Sequence, residues 1–139
     1  MDLNTLYRAV IMDHYKNPKN KGLKKTDPYH LVHLTNPSCG DDMRVEVWIK
    51  DGIVQDVRQE GKGCSICLSS ASVMSELLKG KTKEEAEHLI QQFYKMVKGE
   101  EVEDEVELGE AIAYAGVRDF PARIKCATLA WKCMEKDHE

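Results

Sequence analysis

Residues 43–60, MRVEVWIKDGIVQDVRQE, decide the fold of this chain. Val45, Val47 and Ile49 alternate with Arg44, Glu46, Trp48 and Lys50, the two-residue period of a strand that buries one face. Asp51-Gly52 is a two-residue hairpin signal, and residues 53–60 supply the returning strand. Beyond Gly61 and Gly63 the period lengthens. The small-residue-rich stretch CSICLSSASVMSELLKG, residues 64–80, reads as a helix ending at Gly80, a residue suited to the C-cap.

Upstream, Leu3, Leu6, Tyr7, Val10, Ile11 and Tyr15 recur at three- and four-residue spacing, which predicts a helix over residues 2–17 stopped by Asn17-Pro18. A loop rich in Lys, Asn and Pro follows. YHLVHL (29–34) reads as a short first strand, and TNPSCGDD (35–42) as a cluster of turn formers. Downstream, Thr82 and Glu85 have the spacing of a capping box that opens a helix to about residue 98. The acidic run GEEVEDEVELGE (99–110) is loop-like, with a helical turn expected around residues 108–115. Asp119 and Pro121 cap and start a last helix, PARIKCATLAWKCMEK (121–136). This order predicts an α+β fold, a small antiparallel sheet of about three strands packed by several helices, in one domain over residues 1–139.

A chain of 139 residues can bury a sizeable core without disulfides. The net charge of −4 argues against a nucleic-acid binder, and the lysine cluster KNPKNKGLKK (16–25) reads as a solvated loop. The N-terminus MDLNTLYRAV lacks the basic and apolar regions of a signal peptide. No apolar run is long enough to cross a bilayer. The expected location is the cytoplasm, where thiols stay reduced. Five cysteines cannot all pair, so they are expected to be ligands, nucleophiles or core residues.

Each cysteine has a structural address. Cys39 lies in the turn before a strand; Cys64 and Cys67 open a helix. Cys126 lies early in the last helix beside Arg123 and Lys125, and Cys133 follows seven residues later as a packing residue. A helix N-terminus favours thiolate, which is expected of Cys64 and Cys126. Zinc takes about four S, N or O donors, and Cys39, Cys64 and Cys126 with Asp41 would supply them. Only one Cys-x-x-Cys pair is present, however, so spacing alone leaves simple structural cysteines open. The same pair could be a redox dithiol, but the order of elements lacks the βαβ unit that such enzymes use. His14, His30, His33, His88 and His138 are scattered without ligand spacing and are expected at the surface or satisfied in the core.

Read together, NPSCGDDM (36–43), GKGCSICLSSASVM (61–74) and FPARIKCATLAW (120–131) resemble the three ligand-bearing segments of the U-type iron–sulfur assembly proteins, the IscU/SufU family. LYRAVIMDHYKNPKNKG (6–22) resembles that family's first helix and loop, so the likeness spans essentially the whole chain. It is closer to the SufU branch, because scaffold-type members carry histidine where this chain has Lys125, and because the acidic segment 99–118 is SufU-like. The resemblance implies an IscU/SufU-like fold and a zinc ion held by Cys39, Asp41, Cys64 and Cys126. It also implies a sulfurtransferase that accepts persulfide sulfur, at Cys39, from a PLP-dependent cysteine desulfurase of the SufS type. The sulfur would pass to downstream iron–sulfur assembly proteins.

A metal-held thiolate remains nucleophilic toward a persulfide, and a loop position suits a swinging nucleophile. Arg123 and Lys125 would steer the anionic persulfide or dock the partner, or simply face solvent. The family often has a hydroxyl residue at the place of Cys67, so no role is carried over to it. Two rivals share the cysteines: a scaffold for a transient [2Fe–2S] cluster, and a structural zinc site in an adaptor.

Overall fold

In the computed structural model the described residues are 3–103 and 105–137; His138 lies outside them, as do the side chains of Leu3 and Leu6. The elements run α1 (Leu3–Lys16), β1 (His30–Asn36), β2 (Asp41–Lys50), β3 (Ile53–Lys62), α2 (Ser65–Leu78) and α3 (Lys83–Val97). A 3₁₀ segment (Val106–Asp119) and α4 (Pro121–Asp137) complete the chain. The three strands form one antiparallel sheet in the order β1-β2-β3, as the alternating pattern and the Asp51-Gly52 turn predict.

The hairpin is longer at its open end than its sequence pattern. β2 begins at Asp41, inside the cluster of turn formers, because Asn36 pairs with Asp41 and Asp42 with Lys62. β3 continues through Gly61, where a Cβ would collide with the Asp42 carbonyl oxygen and the Met43 side chain. Glycine is what lets these two strands stay paired up to the turn into α2.

The sheet packs one face on α2 and α4, burying Met43, Val45, Val47, Val54 and Val57. The other face departs from simple alternation. Glu46 sits on the face expected to meet solvent, yet it is 3% exposed. Its carboxylate accepts the backbone N–H groups of Lys24 and Lys25 at 2.6 and 2.9 Å. Arg58 adds bonds to the carbonyls of Lys21 and Gly22, and Gln59 to that of Lys19. The lysine-rich loop is thus fastened down by its backbone while its lysine side chains stay exposed.

Helix α2 is enclosed on nearly every side, and its serines are small donors and acceptors that let neighbours approach. Ser70 donates to the Ala127 carbonyl at 2.6 Å and accepts from Trp131 Nε1 at 2.9 Å; Ser69 accepts from the Tyr114 hydroxyl at 2.6 Å. Buried hydroxyls paired in this way avoid the cost of an unsatisfied group. Trp131 also stacks on Phe93, with ring centroids 3.9 Å apart and planes 6° from parallel.

The capping box forms as read: Thr82 Oγ1 accepts from the Glu85 N–H at 3.1 Å, and Glu85 Oε1 accepts from the Thr82 N–H at 3.0 Å. The acidic run gives way to a longer helical segment than the expected single turn. It is broken at Gly109 (φ 53°) and buries Leu108, Ala111, Ala113, Tyr114 and Val117. Pro121 is the first residue of α4, while Asp119 closes the preceding segment with Phe120 between them. Asp119 therefore does not sit directly before the helix as a cap.

Trp131→Ala removes the ring stack and leaves Ser70 without its donor. Urea unfolding of the variant should show a loss of about 3–5 kcal/mol.

Candidate metal centre

The site is assembled where the open end of the hairpin meets the starts of α2 and α4. Four residues, 37–40, connect β1 to β2, and the Cys39 N–H bonds the Asn36 carbonyl at 3.2 Å across that turn. Gly40 takes φ +72°, a conformation in which glycine carries no Cβ penalty. This presents Cys39 at the surface, with its thiol 3.9 Å from the Ala122 carbonyl.

Asp41, the first residue of β2, is 2% exposed. Its Oδ1 accepts the Cys64 N–H at 3.1 Å, and its Oδ2 lies 3.4 Å from Asn36 Nδ2. A Cβ on Gly63 would collide with that carboxylate. The second glycine of the Gly-Lys-Gly-Cys stretch is therefore the space into which Asp41 fits. Cys64 is the N-cap of α2, half-buried, with extended backbone (φ −73°, ψ 165°).

Cys126 lies in the second turn of α4 and is 1% exposed. Its sulfur is 3.7 Å from the Ala122 carbonyl and 3.9 Å from Asn36 Nδ2. One ligand atom each of Cys39, Asp41 and Cys126 lies within 4.8 Å of the others. Cys64 is not part of this tight trio. It stands beside it, at the start of α2, and holds Asp41 through its backbone N–H.

The electrostatics run against the expected Cys126 thiolate. Burial first, then the Asp41 carboxylate and the neighbouring Cys39 and Cys64, push the Cys126 thiol far above its ordinary range. Those effects outweigh the helix N-terminus, so without a cation the cluster keeps this thiol protonated. Among the described residues no Lys or Arg ion-pairs with Asp41. Two to three thiols and a buried carboxylate without a counter-charge form a donor set that suits a divalent cation. Sulfur and oxygen ligands around zinc stand roughly 3.5–3.8 Å apart, given bond lengths near 2.3 and 2.1 Å. The trio, with its ligand atoms within 4.8 Å of one another, is close enough to converge on one ion.

The remaining candidates separate clearly. Arg123 and Lys125 are both exposed, but two helical positions place them roughly 200° apart around α4. Arg123 lines a groove with Tyr7, Arg8 and Phe120, whereas Lys125 lines another with Asn36, Lys132 and Lys136. Cys67 is fully buried, and burial pushes its thiol well above the usual range, which suits packing and not an accessible redox pair. Cys133 is likewise buried in the core, its thiol pushed up to about 12.

Of the histidines, His14 is a satisfied core residue, with Nδ1 2.7 Å from Ser72 Oγ and Nε2 3.3 Å from Glu110. His33 pairs with Asp42 at 2.9 Å near the surface. The residue that sequence reading passes over is Asn36, which looks like one more turn former until the hairpin closes and its amide meets Asp41 and Cys126.

Residues 6–127 match the family model described as the NifU-like N terminal domain. The chain is 49% identical over 135 residues to the zinc-dependent sulfurtransferase SufU of Bacillus subtilis (strain 168), covering 97% of this chain and 90% of that protein. It is 43% identical over 134 residues to the iron–sulfur cluster assembly scaffold protein IscU of Streptococcus pyogenes serotype M1, covering 96% and 83%. Among solved structures, a protein from Fervidobacterium islandicum AW-1, proposed as an iron–sulfur cluster assembly scaffold for the SUF system, is similar with TM-score 0.82. It is 33% identical and the match covers 95% of this chain and 96% of that one. A crystal structure of a hypothetical protein matches with TM-score 0.88 and 43% identity, covering 96% of both chains.

Because Gly63 makes room for Asp41, Gly63→Ala should weaken divalent metal binding at least tenfold, within the roughly 10–100-fold range of losses around a ligand set. Chelator competition measures it, and the far-UV circular dichroism of the variant should stay native.

Proposed function

This chain belongs to the NifU-like N-terminal family of U-type iron–sulfur assembly proteins, on its SufU side. From that premise we propose that it is a zinc-dependent sulfurtransferase. It takes persulfide sulfur from a PLP-dependent cysteine desulfurase of the SufS type and feeds it to downstream iron–sulfur assembly proteins in the cytoplasm. Residues 1–139 act as one domain in this role. The observation that carries the reading is the asymmetry of the ligand cluster. Asp41 and Cys126 are 2% and 1% exposed, while Cys39, within the same 4.8 Å set, is open to solvent.

Cys39, Asp41, Cys64 and Cys126 would hold the zinc. A bound zinc ion would supply the positive charge that keeps these sulfurs as thiolates at neutral pH. Cys39 stands at the tip of a four-residue turn, tied down by its backbone N–H, so its side chain can leave the set without unravelling a helix. As thiolate, its sulfur attacks the outer sulfur of the desulfurase persulfide. A new S–S bond forms on Cys39, the partner's S–S bond breaks, and the partner's inner sulfur departs as a thiolate. The hydrogen stays on the transferred sulfur, and no oxidant or reductant is consumed. Asp41, Cys64 and Cys126 stay anchored on their strand and helices while this occurs. Arg123, beside the groove lined by Tyr7 and Phe120, and Lys125, on the opposite side, are assigned to docking and steering the anionic partner group.

The likeness to a protein named a scaffold favours one second reading, a transient [2Fe–2S] cluster on the same cysteines. Lys125 weakens it: lysine is a poor soft-metal ligand, and this side chain is exposed in the cleft beside Lys132 and Lys136. A colourless protein with one zinc per chain supports sulfur transfer. A brown protein that hands an intact cluster to an acceptor supports the scaffold.

The test is desulfurase turnover with and without this protein. Cys39→Ala should keep its native circular dichroism and lose all stimulation, whereas Cys67→Ala should stimulate within about twofold of the parent. Full stimulation by Cys39→Ala would refute the assignment of the sulfur acceptor.

A further inference from the structure

Asn36, which is not itself a ligand candidate, touches three members of the set. It is the last residue of β1, it is 7% exposed, and it stands directly across the sheet from Asp41. Its side-chain Nδ2 lies 3.4 Å from Asp41 Oδ2 and 3.9 Å from Cys126 Sγ. Its main-chain carbonyl receives the Cys39 N–H at 3.2 Å. One residue therefore reaches three of the four proposed ligands by three separate hydrogen bonds.

We propose that Asn36 is a positioning residue that holds the metal-binding set and makes its ligands unequal, an inference that rests on the zinc reading above. A primary amide carries two N–H donors, which suits it to face a carboxylate and a thiolate at once. With a metal bound, the opposite orientation would set the amide oxygen against a carboxylate and a thiolate, so the chemistry of the neighbours selects the nitrogen. Cys126 comes from α4 and Asp41 from β2, and the Asn36 amide ties the two to each other. Asn36 holds Cys39 differently, through the main chain alone. The Asn36 side chain thus steadies the two buried ligands, and its main chain fixes where Cys39 starts without restraining the Cys39 sulfur. Groups that orient metal ligands in this way typically change metal affinity 10–100-fold when removed.

Asparagine is the side chain that fits this place. Aspartate has the same shape but offers no donor and adds a negative charge beside Asp41 and Cys126. Alanine leaves both acceptors without the amide. In either variant the main-chain bond to Cys39 survives, so the turn is retained.

The experiment compares the full-length parent with Asn36→Asp and Asn36→Ala. It uses zinc affinity by chelator competition, the absorption spectrum of the cobalt(II)-loaded protein, and thermal melting of the metal-free forms. The expected result is a 10–100-fold weaker zinc affinity for both variants, larger for Asn36→Asp, with a weakened sulfur-to-cobalt charge-transfer band. Asn36→Asp, being isosteric, decides the matter if Asn36→Ala does not fold. Zinc affinities within threefold of the parent and an unchanged cobalt spectrum would overturn the proposal, even if the metal-free variants melt at lower temperature, because that pattern marks a structural role only. A parent chain that binds no zinc would overturn the functional reading itself, which separates the two failures.

Discussion

The structure depends on one hydrogen bond made across a missing side chain. The Asp41 carboxylate accepts the Cys64 N–H at 3.1 Å because Gly63 has no Cβ to stand in the way. That contact joins the first residue of β2 to the N-terminus of α2, and an anion is favoured at a helix start. It sets the direction in which α2 leaves the sheet and brings Cys64 beside Cys126. Gly61 works two residues earlier, letting β3 stay paired against Asp42 and Met43 up to the turn. These two glycines are the clearance for a site.

Charge and burial then divide the cluster into parts with different uses. A carboxylate and a thiol buried together, with no cationic side chain paired to that carboxylate among the described residues, keep the thiol protonated until a cation arrives. A cation bound here would have to displace the Cys126 proton. The single exposed cysteine of the set, Cys39, belongs to a turn and not to a helix, so the proposed sulfur acceptor is the one member on a loop. The other three stand on β2, at the N-cap of α2 and on α4, and α2 is packed by serines whose hydroxyls are paired with Ala127, Trp131 and Tyr114.

How much of this is legible in the sequence follows from the range of each interaction. The hairpin, the capping box at Thr82 and the core placement of Cys133 rest on local patterns, and they are as read. Donor chemistry left the convergence of Cys39, Asp41 and Cys126 as one option, and the resemblance singled it out, because 85 residues separate Asp41 from Cys126 and no periodicity spans that gap. Glu46 and Asn36 were beyond reach for a different reason. Each is an ordinary polar residue in its own segment, and its burial is decided by a loop or helix folding over it from elsewhere in the chain. The helical content of residues 106–119 was underestimated because its acidic composition masks Leu108, Ala111, Tyr114 and Val117, whose contact with the core makes it fold.

The central claim is that Cys39 receives the sulfur. The most direct measurement is peptide mass spectrometry after a single turnover with a PLP-dependent cysteine desulfurase and cysteine, with thiols trapped by alkylation. One added sulfur on the peptide carrying Cys39, and none on those carrying Cys64 or Cys126, is the predicted result. Sulfur on Cys64 or Cys126 instead, or an unmodified chain alongside a stimulated desulfurase, would contradict it.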